Sequence, residues 1–221
     1  LLGSPPGGYL TYGNIILGGT NALKANTTGT NNIAIGANAL KANTAGSSNI
    51  AIGNESLKTV VGDNVVASGT LTCSGWNNIG IGDLAGRDIV TGYENVLIGS
   101  LAGRNLSSGY QNTYIGHNVG ILSFSSQYNV AIGAYAAVSF NGSQTVAIGF
   151  AAMEGASSGS NTAVGYISMN QATTADLNSC FGGESGKSLT TGSHNTLIGW
   201  GAGLQITTGA NNTAVGEYAL N

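Results

Sequence analysis

A short pattern of apolar and polar positions repeats along almost the whole chain. Asn32-Ile33-Ala34-Ile35-Gly36 is one copy, in which large apolar residues alternate with a small one between an asparagine and a glycine. Alternation with a period of two is typical of a strand that has one buried face. The glycines that end the copies lie at positions 19, 36, 53, 82, 99, 116, 133, 149, 165, 182, 199 and 216.

The spacing of these motif glycines predicts a solenoid. The differences between successive positions are 16 or 17, apart from one of 29, which equals 17 plus an insertion of 12. Such a unit is too short for a helix-turn-helix repeat of about 34 residues, and Val, Ile and Thr favour strands. We therefore predict an all-β fold, a parallel β-roll (β-solenoid) of about twelve 17-residue coils over residues 14–221, with two short strands and two glycine bends per coil. Residues 1–13 are interpreted as a linker or the end of a preceding element, and residues 63–74 as a lateral insertion.

The alternation also predicts which side chains fill a coil. The residue before each motif glycine and the residue two positions earlier, such as Ile35 and Ile33, are expected to form the apolar interior. The opposite face carries mostly alanine and glycine, such as Ala34 and Gly80, which suits close approach of another backbone. That face is the predicted contact between subunits. Glycines in the polar turns, such as Gly92, are expected to supply positive φ.

Composition restricts the classes of function. The 221 residues include only 6 Lys+Arg and 9 Asp+Glu, and a net charge of −3 offers no basic footprint for nucleic acid or anionic lipid. No apolar run approaches the ~18 residues of a membrane span, so we expect no direct membrane insertion of this segment. A coil of this size encloses little interior, and Cys73 and Cys180 lie too far apart along a rod to form a disulfide. Oligomerisation is therefore the expected source of stability.

One column of asparagines, four residues before the motif glycines, is the most regular polar feature. Stacked amides that hydrogen-bond along a solenoid explain such a row without any ligand. We therefore predict a structural Asn ladder. Its residues are Asn32, Asn49, Asn78, Asn95, Asn112, Asn129, Asn161, Asn178, Asn195 and Asn212.

All the basic residues occupy another single position, five residues after the motif glycine. Like charges about 4.8 Å apart are unfavourable unless they are solvated, paired or bound to an anion. One interpretation is pairing with acidic groups of a neighbouring chain, such as Glu55, Asp83 or Asp88, and the other is binding of an acidic surface glycan. This basic column consists of Lys24, Lys41, Lys58, Arg87, Arg104 and Lys187.

Two further features are candidates for recognition. Trp76, Tyr93 and Tyr110 lie six residues before successive motif glycines, which is typical of a sugar-stacking platform or of a structural aromatic ladder. The insertion, which contains Asp63 and Asn64, is a candidate specificity loop because loops on rigid scaffolds often carry recognition.

The middle of the chain differs from the rest in charge. Residues 105–153 include no Asp, Glu, Lys or Arg, and Leu122, Phe124 and Phe140 stand where other repeats are polar. The uncharged stretch indicates an apolar surface that another subunit or a receptor covers. Phe150 and Tyr166 follow motif glycines in adjacent repeats, and they have the same two interpretations as Trp76, Tyr93 and Tyr110, a sugar-stacking platform or a structural aromatic ladder.

Catalysis finds little support in the sequence. His117 and His194 lie more than four repeats apart, and no Ser/His/Asp set, paired-cysteine metal site or phosphate-binding loop stands out. We therefore predict no enzymatic activity, no metal and no cofactor.

The run Asn-Ile-Ala-Ile-Gly-Ala-Asn-Ala-Leu at residues 32–40 resembles the head repeats of YadA-like trimeric autotransporter adhesins. It more closely resembles the 17-residue repeats of tail-fibre-domain proteins in phages and bacteria, and the last copy, residues 207–220, resembles the latter especially. The resemblance covers residues from about 14 to 221. It implies a parallel homotrimer of left-handed β-rolls.

On this resemblance we expect a structural and adhesive segment, the shaft or head of a trimeric surface or tail fibre, that supports host or surface attachment. The partners implied are two further copies of the chain and a cell-surface glycan or protein receptor. The implied location is extracellular, on a bacterial cell surface or a virion tail fibre. Two alternatives remain open, namely a monomeric β-solenoid that binds a polysaccharide or ice, and a subunit of a self-assembling extracellular filament.

Overall fold

A computed structural model of the chain describes residues 13–62, 75–140, 142–155 and 159–221. Within these residues each copy of the motif forms one strand of three residues. The strands are β1 (Ile15–Leu17), β2 (Ile33–Ile35), β3 (Ile50–Ile52), β4 (Ile79–Ile81), β5 (Val96–Ile98), β6 (Thr113–Ile115), β7 (Val130–Ile132), β8 (Val146–Ile148), β9 (Thr162–Val164), β10 (Ser179–Phe181), β11 (Thr196–Ile198) and β12 (Thr213–Val215).

The strands form one twelve-stranded parallel sheet in chain order, from β1 to β12. Equivalent residues of successive coils face each other, so that Ala34 pairs with Ala51 and Ala51 pairs with Gly80. No helix occurs in the described residues. The prediction of an all-β parallel β-solenoid of about twelve coils is therefore confirmed, and twelve strands at ~4.8 Å spacing extend over about 53 Å.

The prediction of two strands per coil is wrong in the described part of the chain, because tight turns build the rest of each coil. Left-handed backbone recurs two and four residues after the motif glycine and five residues before the next one, as at Asn38 (φ 56°), Leu40 (φ 48°) and Ser48 (φ 59°). A strand cannot pass through such residues. The turns are instead held by hydrogen bonds between coils, such as Leu40 N–H to the Ser56 carbonyl at 3.1 Å.

The predicted inner and outer faces of the strand are exchanged in the structure. From β2 to β9 the middle residue of each strand is buried and both flanking residues are partly exposed. Ala34 is 0% exposed, whereas Ile33 and Ile35 lie on the outside of the coil. The cause is the width of the coil, because residues such as Ala39 and Leu40 already fill the interior and leave room for a small side chain.

Larger middle residues occur where the facing turn position is glycine. A Cβ atom on Gly103 would lie 2.7 Å from Leu97 Cδ2, and a Cβ atom on Gly120 would lie 2.5 Å from Tyr114 Cε2. The buried hydroxyl of Tyr114 is 3.2 Å from Ser126 Oγ, and burial raises the pKa of the phenol. Side-chain volume is thus exchanged between two positions six residues apart, as a close-packed interior requires.

Two sets of glycines shape the coil for different reasons. Motif glycines have φ between 106° at Gly19 and 145° at Gly165, in the region that other residues rarely adopt. The prediction of positive φ at the turn glycines is wrong, since none of those predicted adopts it. A Cβ atom on Gly46 would lie 2.5 Å from the Gly75 carbonyl oxygen, so these glycines permit close approach of the next coil. The turn glycines in question are Gly29, Gly46, Gly92, Gly109, Gly192 and Gly209.

Candidate functional site: the Asn ladder, the outward stripe and the basic column

The Asn ladder runs through the interior as a chain of amide hydrogen bonds. Asn95 Nδ2 donates to Asn78 Oδ1 at 3.0 Å and to the Gly109 carbonyl at 2.9 Å, and Asn78 Oδ1 also accepts from the Asn95 backbone N–H at 3.2 Å. From Asn32 to Asn195 every ladder asparagine is at most 2% exposed. The amides satisfy buried backbone groups of the neighbouring coils, so their role is structural.

The ladder has one member that the sequence prediction missed, Asn14, and one interruption, at Thr145, which the predicted ladder omits. Asn14 Oδ1 accepts from the Asn32 N–H at 2.7 Å, although Gly18 is an extra residue that displaces Asn14 from the regular count. At the other site Thr145 N–H donates to Asn129 Oδ1 at 3.0 Å, and Thr145 Oγ1 accepts from the Asn161 N–H at 3.5 Å. The strand register places both Asn14 and Thr145 in the same column as the ladder asparagines.

The first and third residues of each strand, from β1 to β12, form an apolar row on the outside that we call the outward stripe. Most are Ile or Val, with Thr or Ser at the first position of several strands. These residues remain partly exposed in coils away from the ends of the rod as well. Ile198 of β11, for example, is 40% exposed. Two columns about 7 Å apart over about 53 Å cover roughly 370 Å² in projection. That area matches the largest apolar patch of a typical monomer.

Four of the six basic residues have an acidic partner within the chain. Arg87 donates from Nε and Nη2 to the two carboxylate oxygens of Asp88, each at 2.8 Å. This hydrogen bond raises the pKa of Arg87, although partial burial acts in the opposite direction. Asp83, another predicted partner, accepts from Asn54 Nδ2 at 3.0 Å. The other pairs are Lys58–Glu55 at 2.9 Å, Arg104–Asp88 at 4.0 Å and Lys187–Glu184 at 3.3 Å.

Lys24 and Lys41 differ from these four. No carboxylate of the described residues lies within 4 Å of either ammonium group. Both lie with Lys58 on three adjacent coils, around an open cleft of about 490 Å³. Pairing of this column with a neighbouring chain remains a prediction. The cleft is lined by Lys24, Ala25, Lys41, Ala42, Lys58 and Thr59.

The predicted aromatic candidates form a self-stacked row in part. The rings of Tyr93 and Tyr110 are parallel within 4° with centroids 4.8 Å apart, and Tyr128 packs edge-on against Tyr110 at 5.3 Å. A hydrogen bond with Tyr128 raises the pKa of Tyr110. Because Tyr93 and Tyr110 cover each other's faces, the arrangement favours the structural ladder over a sugar platform.

Trp76 follows the insertion by two residues in the sequence, and its Nε1 is buried without a hydrogen-bond partner among the described residues. Asp63, Asn64 and the rest of the insertion, with Cys73, lie outside the described residues, as do residues 1–12 of the proposed linker.

A second aromatic row lies on the outside of the C-terminal half. His117, Tyr135, Phe150 and Tyr166 contact one another in sequence, with ring centroids 5.6 to 5.8 Å apart. Sequence reasoning grouped only the last two, because Tyr135 lies two residues after its motif glycine and so interrupts the series between His117 and Phe150.

The uncharged middle of the chain exposes part of the apolar surface that was predicted. Leu122, Phe124 and Tyr135 are 40%, 53% and 37% exposed. Phe140, by contrast, is fully buried in the coil interior and belongs to the core. The exposed residues therefore extend the apolar surface of the rod in this region, and the position of Phe140 corrects the prediction for that residue.

The remaining chemistry-bearing groups form no site in the part of the chain that the structure describes. Cys180 is a buried free thiol, and burial raises its pKa to about 12. Within the described ranges no three His, Cys, Asp or Glu side chains gather where they could hold a metal ion. A search of the same residues for a helix long and apolar enough to cross a membrane finds none.

Comparison with known proteins adds no relative to this picture. No protein-family model, curated protein sequence or solved structure matches the chain.

Proposed function

We propose that the chain is a structural and adhesive segment, a shaft or head, of a trimeric fibre that supports attachment to a host or another surface. Three parallel copies would pack around a common axis through their outward stripes, with each coil a left-handed β-roll. The location we propose is extracellular, on a bacterial cell surface or a virion tail fibre.

The outward stripe is the observation that carries this proposal. In most strands, such as β3 and β8, the small middle residue faces inward and the large apolar residues on either side of it face outward, so the chain by itself leaves these outward side chains partly in water. Burial of one Ile or Val side chain is worth roughly 1.5–3 kcal/mol. The stripe residues are already partly buried in the single chain, and the stripe gains the remaining part of this stabilisation in every coil only when another apolar surface covers it along the rod.

Identical copies are the simplest cover. A parallel copy in the same register presents the same row with the same rise per coil, so every outward Ile or Val meets an apolar partner. The narrow interior of each coil gives a second reason for association, because a small core is marginal alone. Repetition along a trimer would also present any weak ligand site in three copies, which raises avidity.

The solution mass of two variants tests this proposal. Ile98→Asp together with Ile115→Asp places two charges in the stripe, and Thr91→Asp together with Ser108→Asp places the same charges in the exposed turns of the same two coils. We expect about 66 kDa, three times 22.0 kDa, for the wild type and the turn variant, and about 22 kDa for the stripe variant. A wild-type mass equal to that of one chain would overturn the trimer and favour a monomeric solenoid that binds a polysaccharide.

A further inference from the structure

We propose that the cleft between Lys24, Lys41 and Lys58 binds a linear acidic polysaccharide, whose carboxylate or sulfate groups contact the ammonium groups of Lys24 and Lys41 in turn, while Lys58, which is paired with Glu55, borders the cleft. The inference deepens the attachment function and rests on that proposal for its biological setting. The cleft itself belongs to a single chain.

Hydrogen bonds between coils hold the three lysines in register. Ala25 N–H donates to the Lys41 carbonyl at 3.1 Å, and Ala42 N–H donates to the Lys58 carbonyl at 3.0 Å. The three Cα atoms therefore follow one another at the coil spacing of about 4.8 Å. A ligand with anionic groups repeated along an extended chain fits such a row better than a compact anion does.

Lys24 and Lys41 differ from the paired lysines of the column in the residue that stands three positions earlier. Lys58 and Lys187 have Glu55 and Glu184 there, and each pair forms a salt bridge. The same position before Lys24 and Lys41 holds Asn21 and Asn38, which hydrogen-bond to each other at 3.2 Å instead. The N-terminal end of the basic column thus keeps positive charge that the rest of the column loses.

The cleft also supplies contact area for a sugar ring. Its volume is about 490 Å³, and the side chains between the ammonium groups are Ala25, Ala42 and Thr59. These small side chains and the apolar stems of the lysines form a shallow floor, while the ammonium groups reach the solvent. Such a surface combines van der Waals contact with charge, as recognition of an acidic sugar requires.

A second copy of the chain fits this row less well. Among the described acidic residues, none stands at the same repeat position in two adjacent coils, so no matching acidic row exists along the rod. Several acidic groups are also engaged within the chain, such as Glu94 with Gln111 at 2.7 Å and Glu154 with Asn170 at 3.1 Å. A nucleic acid is disfavoured by the net charge of −3.

The test measures binding of three fluorescently labelled probes to the 221-residue chain by anisotropy. The probes are an oligogalacturonate, a heparin-derived oligosaccharide and a neutral cello-oligosaccharide. We expect the two acidic probes to bind and the neutral one not to bind, with affinity falling steeply between about 0.05 M and about 0.5 M salt. We expect Lys24→Gln/Lys41→Gln to weaken binding at least about tenfold.

Lys187→Gln is the matched control, because Lys187 occupies the same column but is paired with Glu184. It should leave affinity unchanged. Equal binding by wild type and the double variant, no binding of either acidic probe at low salt, or equally tight binding of a DNA duplex would overturn the proposal. A double variant that loses its oligomeric mass would also overturn it, because the lysines would then belong to a subunit contact.

Light scattering on the same samples separates this inference from the proposed fibre. A trimeric mass without binding would refute the cleft and leave the trimer intact, whereas binding by a monomeric chain would refute the trimer and leave the cleft intact.

Discussion

The coils between Gly82 and Gly133 and the two coils between Gly133 and Gly165 share one backbone plan with different regularity. In the former, successive motif glycines are numbered 17 apart and each ladder position holds an asparagine. In the latter they are numbered 16 apart, and Thr145 stands between Asn129 and Asn161. Strand pairing nevertheless continues in register through β7, β8 and β9. The sheet therefore fixes the repeat, and the polar turn absorbs the change in length.

The same two regions differ in surface charge. Arg87, Arg104 and Ile121 occupy the basic column in the first region, whereas Val138 and Glu154 occupy the same column in the second. Neither charge nor its loss alters the strand register. The backbone groups of the column take part in the hydrogen bonds between coils, but its side chains do not. These side chains can therefore vary without disturbing the sheet, and this supports the proposed role of the lysines at the N-terminal end of the column.

The largest expected effect comes from a motif glycine. Gly99 has φ 128°, and a Cβ atom there would lie 2.7 Å from the Gly116 carbonyl carbon. We expect Gly99→Ala to lower the free energy of unfolding by at least ~3 kcal/mol in urea titrations followed by circular dichroism. Gly155→Ala is the control from the irregular region, because its nearest neighbour is the Asn170 carbonyl oxygen at 3.4 Å. Equal losses for both variants would contradict the account.

A smaller loss is expected within the Asn ladder. Asn95→Ala removes the acceptor of the Asn112 N–H and the donor to the Gly109 carbonyl, and leaves both buried groups unpaired. The expected decrease in the free energy of unfolding is about 2 kcal/mol. Asn105→Ala deletes an amide for which no side-chain hydrogen bond is found among the described residues, and should change stability by less than ~0.5 kcal/mol. A ladder variant as stable as this control would show that the amides are dispensable.

The smallest effect would come from repair of the interruption. Thr145→Asn restores a side-chain amide at this ladder position, with an N–H donor and a carbonyl oxygen that can accept from Asn161. We therefore expect a gain of about 1 kcal/mol in the free energy of unfolding. A loss instead would mean that the shortened turns of these two coils require the hydroxyl group, and that the two regions are not interchangeable.

The repeat period and the strands could be predicted from sequence because Asn32, Ile33, Ile35 and Gly36 recur in every coil with little change. The inward face could not be predicted by hydrophobicity, because Ile33 and Ile35 are more apolar than the buried Ala34. The pairing of large middle residues with facing glycines carries the missing information, and it depends on packing across the coil. Ion pairs within the chain, such as Lys58–Glu55, were not predicted. Two residues that are three positions apart in the sequence come into contact only in certain turns, and the geometry of this turn was not known from the sequence.

The central claim is that the outward stripe, and not the inward face, is covered by other copies of the chain. Thiol labelling at pH 8 tests it directly with Ile98→Cys and Ser108→Cys, both in a background that carries Cys73→Ala and Cys180→Ala. Wild-type Cys180 gives the reference for a buried thiol, because burial raises its pKa to about 12. We predict that Ile98→Cys reacts at least about tenfold more slowly than Ser108→Cys in the native protein. Equal labelling rates at these two positions would contradict the account.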